Sequence, residues 1–523
     1  MGRVHSQSNQ GLTDTEEGAQ HGGTVQKRPG FLREGPQGGM SQGWEISPCP
    51  SGQAGQGGNT RMATAWESQD ESWAVTEFAG AELGDARRTH RVITLATALA
   101  HHPDAGLPEA CGSRADLKAA YRVFANEAIE PAELLASHVA ATLERAVRVP
   151  VVLAVQDTTE LDWTAHPATT GLGPIGNPRH QGLLVHSPLA FTPDRVPLGL
   201  VAQAVWARDP EAVGQRATRR QRPILEKESR KWLDSLAAVN DARHECPQTQ
   251  WVSVGDREAD VYDLFVAERA AGVELLIRAA WDRRVAHEER YLWATVGAQP
   301  VAEVYTVHVP RRSAQPARAA VLTMRFGAVE LCPPSHRRAE RLPSVTVWAV
   351  HVVEEYPPAG VEPLEWLLLT TRPVPSVAEA QECVEWYTCR FGIEVWHKVL
   401  KSGCRIEARQ LETAARLQRC LTLFSVIAWR IVYATLLSRT LPALPCTVLL
   451  ALEEWQALYC ATHHTATPPP TPPTLQEAVQ WIARLGGFLG RPGDGPPGVT
   501  VLWRGFQHLA DLTRMYCLLH PPT

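Results

Sequence analysis

From about residue 62 onward, the spacing of apolar residues divides the chain into successive structural regimes. Between 62 and 148 they recur at three- and four-residue intervals, which predicts helices. Asp85 stands where an N-cap is needed before Ala86-Arg87-Arg88-Thr89-His90-Arg91, and residues 133–147 carry an apolar helical face. At Val151 the period changes. Residues 151–155, behind Pro150, form a continuous apolar run of the kind a buried strand shows. Residues 183–190, 197–206 and 250–255 read the same way, with a helix expected over 225–238. From Val273 to about Thr371 short β-rich runs at 274–278, 302–309, 345–353 and 365–370 replace the helix–strand alternation, so a β insertion is expected there. Helical patterning returns from 377 to 437. The Pro-rich 468–473 segment reads as a linker before a last helical unit from Leu475.

The most apolar stretch, 421–437, has Arg430 in its middle and is shorter than the roughly 20 residues a membrane span needs, so a buried helix is expected. Residues 1–61 hold 14 of the 38 Gly and almost no periodicity, which predicts a disordered tail and makes Met62 a candidate start. The chain of 523 residues is too long for one ordinary core. Its 51 Lys+Arg against 56 Asp+Glu give a net −5, so any nucleic-acid site must be regional. The 11 Cys are scattered, odd in number and contain no C-x-x-C pair, which argues against a disulfide framework or zinc ribbon and fits a reducing cytoplasm. No apolar leader follows Met1.

Gly171-Leu-Gly173-Pro-Ile-Gly176 matches a dinucleotide-binding fingerprint, but Pro174 and Pro178 forbid the helix that should open there, so a loop is expected. Three other places carry chemistry. The run VLAVQDTT ends its apolar part at Asp157, where a carboxylate could be placed rigidly for a divalent cation or could be a plain turn residue. In WVSVGDREAD a second strand runs into Asp256, with Asp260 one turn on. The competing structural reading makes Asp256 an N-cap and Asp260 a solvated first-turn charge.

The third is EWYTCRFGIEVWHKVLK. At about 100° per residue, Tyr387, Arg390, Glu394, Lys398 and Lys401 fall within roughly 80° of arc, while Ile393, Trp396, Val399 and Leu400 fall opposite, on the core side. Such a stripe can be an ordinary salt-bridged exposed face. Two of the chain's six Lys lie on it, however, and residues 386–420 carry seven basic side chains against three acidic ones. A single acid in a basic face suits metal chemistry on a polyanion.

Asp157 in QDTT, Asp256 in DREAD and the spacing Tyr387-x2-Arg390-x3-Glu394-x6-Lys401 resemble the three carboxylates and Y-R-E-K signature of bacterial cut-and-paste DDE transposases of the insertion-sequence-four family, transposon-Tn-five-like. LGDARRTHR at 83–91 and AAYRVF at 119–124 look like that family's end-binding domain. KESRKW at 227–232 and PLEWLLLT at 363–370 look like catalytic-domain segments, and WIARLGGF at 481–488 like its dimerisation region. Gly392 departs from the pattern, standing where a compared family member has a basic residue.

The resemblance implies an α/β fold: an RNase H-like catalytic core over 149–440 with a β-rich insertion at about 273–371. It would be flanked by an N-terminal helical DNA-end-binding domain over 62–148 and a C-terminal helical dimerisation region over 441–523. It further implies that Asp157, Asp256 and Glu394 hold two Mg²⁺ ions, with Mn²⁺ able to substitute, and that family members cut transposon ends through a DNA hairpin and join them to target DNA. Tyr387, Arg390, Lys398 and Lys401, with Arg87, Arg88 and Arg91 near the N-terminus, would contact DNA. Trp366 matches the family's base-stacking residue, or it is simple strand core. The expected partners are the terminal inverted repeats, target DNA and a second copy of the chain, in a bacterial cytoplasm and with no membrane. A decayed or domesticated copy that only binds DNA is the main alternative. A paired-carboxylate glycosidase leaves the basic stripe unexplained.

Overall fold

The computed structural model describes residues 72–177, 179–212, 222–309, 311 and 316–521. The tail expected over 1–61 and the candidate start at Met62 lie outside them. Five helices come first: α1 (Trp73–Phe78), α2 (Ala86–His101), α3 (Leu107–Cys111), α4 (Arg114–Ala125) and α5 (Pro131–Ala146). Asp85 caps α2 as expected, its carboxylate accepting the Arg87 N–H at 2.8 Å. Ser113 does the same for α4, and Pro131 opens α5, where its missing N–H costs nothing.

Eleven strands then form one mixed sheet. They are β1 (Val151–Asp162), β2 (Gly173–Ile175), β3 (His180–Phe191), β4 (Pro197–Leu200), β5 (Ala204–Trp206), β6 (Gln250–Gly255), β7 (Val273–Arg278), β8 (Glu303–Val309), β9 (Arg318–Leu331), β10 (Val345–Val353) and β11 (Glu365–Thr370). The order is β2-β3-β1-β6-β7-β11-β10-β9-β8, with β4 and β5 also pairing with β3. β1, β6 and β7 run parallel, and every other pairing is antiparallel. α6 (Arg230–Glu245) precedes β6, and α7 (Tyr262–Val266) lies between β6 and β7. The runs at 345–353 and 365–370 form strands with the expected bounds. The β-rich stretch from 273 is continuous with the rest of the sheet: β7 pairs with β6, and β11 through β8 extend from it. The segment 197–206 divides into two strands around Val201, and the helix expected from 225 begins only at Arg230, after a short 3-10 turn at Ile224–Glu226. β2 occupies the glycine-rich decoy, with no helix following it.

After α8 (Leu292–Gly297), within the β-rich part, the helices are α9 (Val377–Thr388), α10 (Phe391–Lys398), α11 (Ala414–Thr440), α12 (Leu452–His463), α13 (Leu475–Leu485) and α14 (Val499–Leu519). α11 is long and apolar enough to cross a membrane, but it is buried within the fold. Its Arg430 is 6 % exposed and lies between the rings of Trp73 and Phe506, 4.9 and 5.1 Å from their centroids. Dispersion and cation–π attraction offset part of the cost of burying that charge. Arg409 performs a related task, donating to the backbone carbonyls of Pro103, Ala105 and Cys404 and so tying the N-terminal helices to the core. The ten described cysteines are all free.

Candidate active site and nucleic-acid interface

Because β1 and β6 are parallel neighbours, residues that follow their paired segments emerge at the same end of the sheet. The last parallel pair is Val155 with Val254. Asp157 comes two residues later, in a part of β1 that continues antiparallel to β3, opposite Ser187. It is therefore not a strand-end turn residue: the strand runs on to Asp162. Its Oδ1 accepts the Thr158 N–H at 2.8 Å. Asp256 directly follows β6 and accepts the Glu258 N–H at 2.9 Å, capping the 3-10 turn Arg257–Ala259. The N-cap reading of Asp256 holds, and its position directly after β6 puts it at the same end of the sheet as Asp157. Asp260 is different. It is 2 % exposed and binds the backbone N–H groups of Ala280 and Trp281 and the Arg283 guanidinium at 2.5 Å, so it is a buried structural acid and the expectation of a solvated charge is corrected.

Arg390 brings the third carboxylate in. Its Nη2 donates to Glu394 Oε1 at 2.5 Å and its Nη1 lies 3.6 Å from Asp157 Oδ2. Burial, reinforced by the charge of Asp256, pushes the Asp157 carboxyl up to about 7, against the pull of Arg390. Burial also raises Asp256, again opposed by Arg390. In turn burial works against the Arg390 charge, but Tyr387 and the three acids outweigh it and hold the guanidinium above its usual range. Asp157 and Glu394 remain 22 % and 25 % exposed at the side chain, so the cluster opens to solvent.

Among the described residues no three carboxylate, imidazole or thiol groups converge closely enough to hold one ion as they stand. The donor chemistry nevertheless fits a hard divalent cation. Two crowded carboxylates repel each other, and the third is held at the same place by an arginine that balances their charge.

The expected single helical stripe is interrupted. α9 ends at Thr388, Cys389 and Arg390 form a tightened turn with bonds three residues back, α10 ends at Lys398, and residues 399–403 widen into a π turn. Wheel arithmetic across these breaks misplaces Tyr387. That residue is 2 % exposed, packs edge-on to Trp366 at 5.2 Å and meets the Arg278 guanidinium. In this conformation its ring does not reach solvent, whereas Trp366 is half-buried near the start of β11. Lys398 is exposed and Lys401 half-buried, neither with an ion-pair partner among the described residues. Ile393, Trp396, Val399 and Leu400 are wholly buried, as expected of the core side. Gly392 has a packing reason: a Cβ there would lie 2.5 Å from the Phe191 ring.

A polar network behind the carboxylates escaped the sequence reading. His186 Nε2 meets Gln156 Oε1 at 3.3 Å, its Nδ1 meets Thr158 Oγ1 at 2.9 Å, and the Gln156 amide donates to Ser253. Gln156, His186 and Ser253 are buried and join β3, β1 and β6, the last two of which present Asp157 and Asp256. Burial pushes His186 down to about 3, so it stays neutral, which suits a ring with one donor and one acceptor nitrogen. The signal available in the sequence was Gln156 itself, a polar residue inside an apolar run.

At the N-terminal helices, Arg87 is exposed and paired with Asp85 at 3.0 Å, Arg88 donates to the Leu83 carbonyl at 2.9 Å, and Arg91 is exposed. Arg88 is therefore committed to the local fold, and Arg87 and Arg91 face outward. The sequence reading missed a second basic stripe. Arg114, Lys118 and Arg122 recur every fourth residue on α4, all exposed, with Tyr121 42 % exposed beside them.

Residues 70–129 match the family model described as Transposase DNA-binding, and residues 426–516 match that of the Transposase Tn5 dimerisation domain. The two matches support a Tn5-like DNA transposase. Domains of these types imply an enzyme that cleaves and joins DNA, with DNA and a second copy of the chain as partners. In this chain the outward basic stripe of α4 falls inside the first match, and α12, α13 and most of α11 and α14 fall inside the second.

Proposed function

We propose that the protein is a DDE transposase of the insertion-sequence-four family, acting in the bacterial cytoplasm, which cuts transposon ends through a DNA hairpin and joins them to target DNA. The observation that carries this reading is the gathering of Asp157, Asp256 and Glu394, from three separate segments, around Arg390. An RNase H-like core is supported by the parallel strands β1, β6 and β7 with β3 antiparallel beside β1. Asp157, Asp256 and Glu394 would hold two Mg²⁺ or Mn²⁺ ions. Bound there, such ions supply charge stabilisation to the attacking and leaving oxygens of an in-line phosphoryl displacement.

The remaining work belongs to this chain's side chains. Arg390, whose buried Nε lacks a hydrogen-bond partner, and the unpaired Lys398 and Lys401 hold phosphates beside the carboxylates. Trp366 offers an indole on which an unpaired base can stack, held edge-on by Tyr387. The neutral His186 network fixes the relative height of the strands that present the two aspartates. Arg91, Lys118 and Arg122 bind the backbone of the transposon end.

The test is to incubate the protein with linear DNA carrying the inverted repeats that flank its coding sequence. Mg²⁺-dependent release of hairpin-ended fragments supports the reading. End binding without any cleavage in Mg²⁺ or Mn²⁺ would favour the DNA-binding remnant instead.

A further inference from the structure

The C-terminal helices carry a basic cavity remote in sequence from the residues placed at the active site and outside the segment matched to a DNA-binding domain. It has a volume of about 490 Å³ and lies between the end of α11, one face of α13 and the loop that leads to α14. Gln476, Gln480 and Arg484 line it from α13 at four-residue spacing, so they share one face of that helix. Arg439 and Arg491 join them from α11 and the loop, and Phe488 contributes an apolar wall. Three arginines and no carboxylate line the cavity, in a chain of net charge −5.

The side chains of Arg484 and Arg491 are exposed and have no ion-pair or hydrogen-bond partner among the described residues. Asp494, in the same loop, turns onto the backbone N–H of Arg491 at 2.7 Å, and Glu477 turns back to cap Thr474. Both nearby acids are thereby engaged locally. Arg439 donates to the Pro497 carbonyl at 2.9 Å, which holds the loop against α11 and so fixes the cavity's shape.

We propose that this cavity is a second docking site for the phosphodiester backbone of duplex DNA, within the segment matched to a dimerisation domain. The proposal rests on the transposase reading and adds to it a DNA contact far along the chain from the carboxylates. Two guanidiniums without partners present forked donors suited to phosphate oxygens, and the two glutamine amides add neutral donors along the same face. Each arginine that neutralises a phosphate releases condensed counterions, which makes its contribution readable as salt dependence.

The experiment uses the full chain and an R484A/R491A variant, with two duplexes: one ending in the transposon's inverted repeat with flanking DNA, one unrelated. Binding is measured over a salt series, with melting temperature and mass in solution as controls. The expected result is that the slope of log K against log salt becomes shallower by about two units, at unchanged melting temperature and mass. A change on the flanked end alone assigns the contact to transposon DNA, and a change on both duplexes to any duplex. Unchanged slopes on both overturn the proposal. So does a changed mass with unchanged slopes, which would make the cavity a protein interface. If the unsubstituted chain binds neither duplex, it is the transposase reading itself that fails.

Discussion

Arg390 Nη2 lies 2.5 Å from Glu394 Oε1 while its Nη1 reaches to 3.6 Å from Asp157 Oδ2. One guanidinium thus links an acid on α10 to an acid on β1, across 237 residues of chain. This places Arg390 as the standing counter-charge of the carboxylate cluster. Replacing it with Ala should leave the acids repelling one another without compensation and lower DNA affinity as well, since the positive charge beside them is lost. Gel shift with metal-free protein is the check: R390A should bind end DNA more weakly than the unsubstituted chain.

The raised Asp157 carboxyl gives the metal-free protein a defined pH dependence. A carboxyl shifted from 3.8 up to about 7 on folding stabilises the fold below the lower value and loses that contribution as pH rises through the upper one. The D157N variant removes the titration. Relative to the unsubstituted chain it should therefore gain stability between pH 4 and pH 8, on the order of 1–3 kcal/mol by the upper end. Thermal unfolding across that range without metal measures the difference. At pH 8, Mg²⁺ should raise the melting temperature of the unsubstituted chain and leave that of D157N little changed.

Lys401 and Glu394 share a segment but carry opposite charges, so their substitutions should diverge in binding. K401A removes one phosphate contact and should make the salt slope shallower by about one unit. E394A removes a negative charge, and in the absence of metal it should bind DNA at least as tightly as the unsubstituted chain. An unchanged slope for K401A would return that residue to an ordinary solvated face.

On α4, Lys118 and Arg122 are exposed at four-residue spacing. A K118A/R122A pair should make the slope for end DNA shallower by about two units while leaving the melting temperature unchanged. Fluorescence anisotropy over a salt series measures it.

Gly392 touches Phe191 so closely that Ala should force the ring or helix to shift. G392A is expected to cost about 1–3 kcal/mol of stability, with partial recovery when Phe191 is replaced by Leu. Equilibrium denaturation of the single and double variants tests the pairing.

Much of the fold was legible because periodicity is a local signal. The switch from helical spacing to the apolar run at Val151, the cap at Asp85 and the strand bounds at 345–353 and 365–370 follow from residues within a turn or two of one another. The polar and charged outcomes were less legible, since they depend on partners far along the chain. Asp260 looks like any first-turn acid until β7 brings Ala280, Trp281 and Arg283 against it. Tyr387 falls on the exposed stripe only if 385–401 is one uniform helix. The tightened turn at Cys389–Arg390 and the π turn at 399–403 change the rotation per residue, and no local residue preference announces either. Gln156 and His186 meet only because β1 and β3 pair antiparallel, with Gln156 opposite Pro188 and His186 opposite Thr158. Arg114, Lys118 and Arg122 have a readable four-residue spacing, but that this face meets solvent depends on how the N-terminal helices pack.

The most direct test of the proposed active site is cleavage of end-bearing DNA in Mg²⁺ by three single variants, D157A, D256A and E394A, each first shown by gel shift to bind the end. All three should bind and none should cut, because each removes one ligand from the same cluster. Retained cleavage by any one of them would take that carboxylate out of the catalytic site and contradict the account built on Arg390 and its three acids.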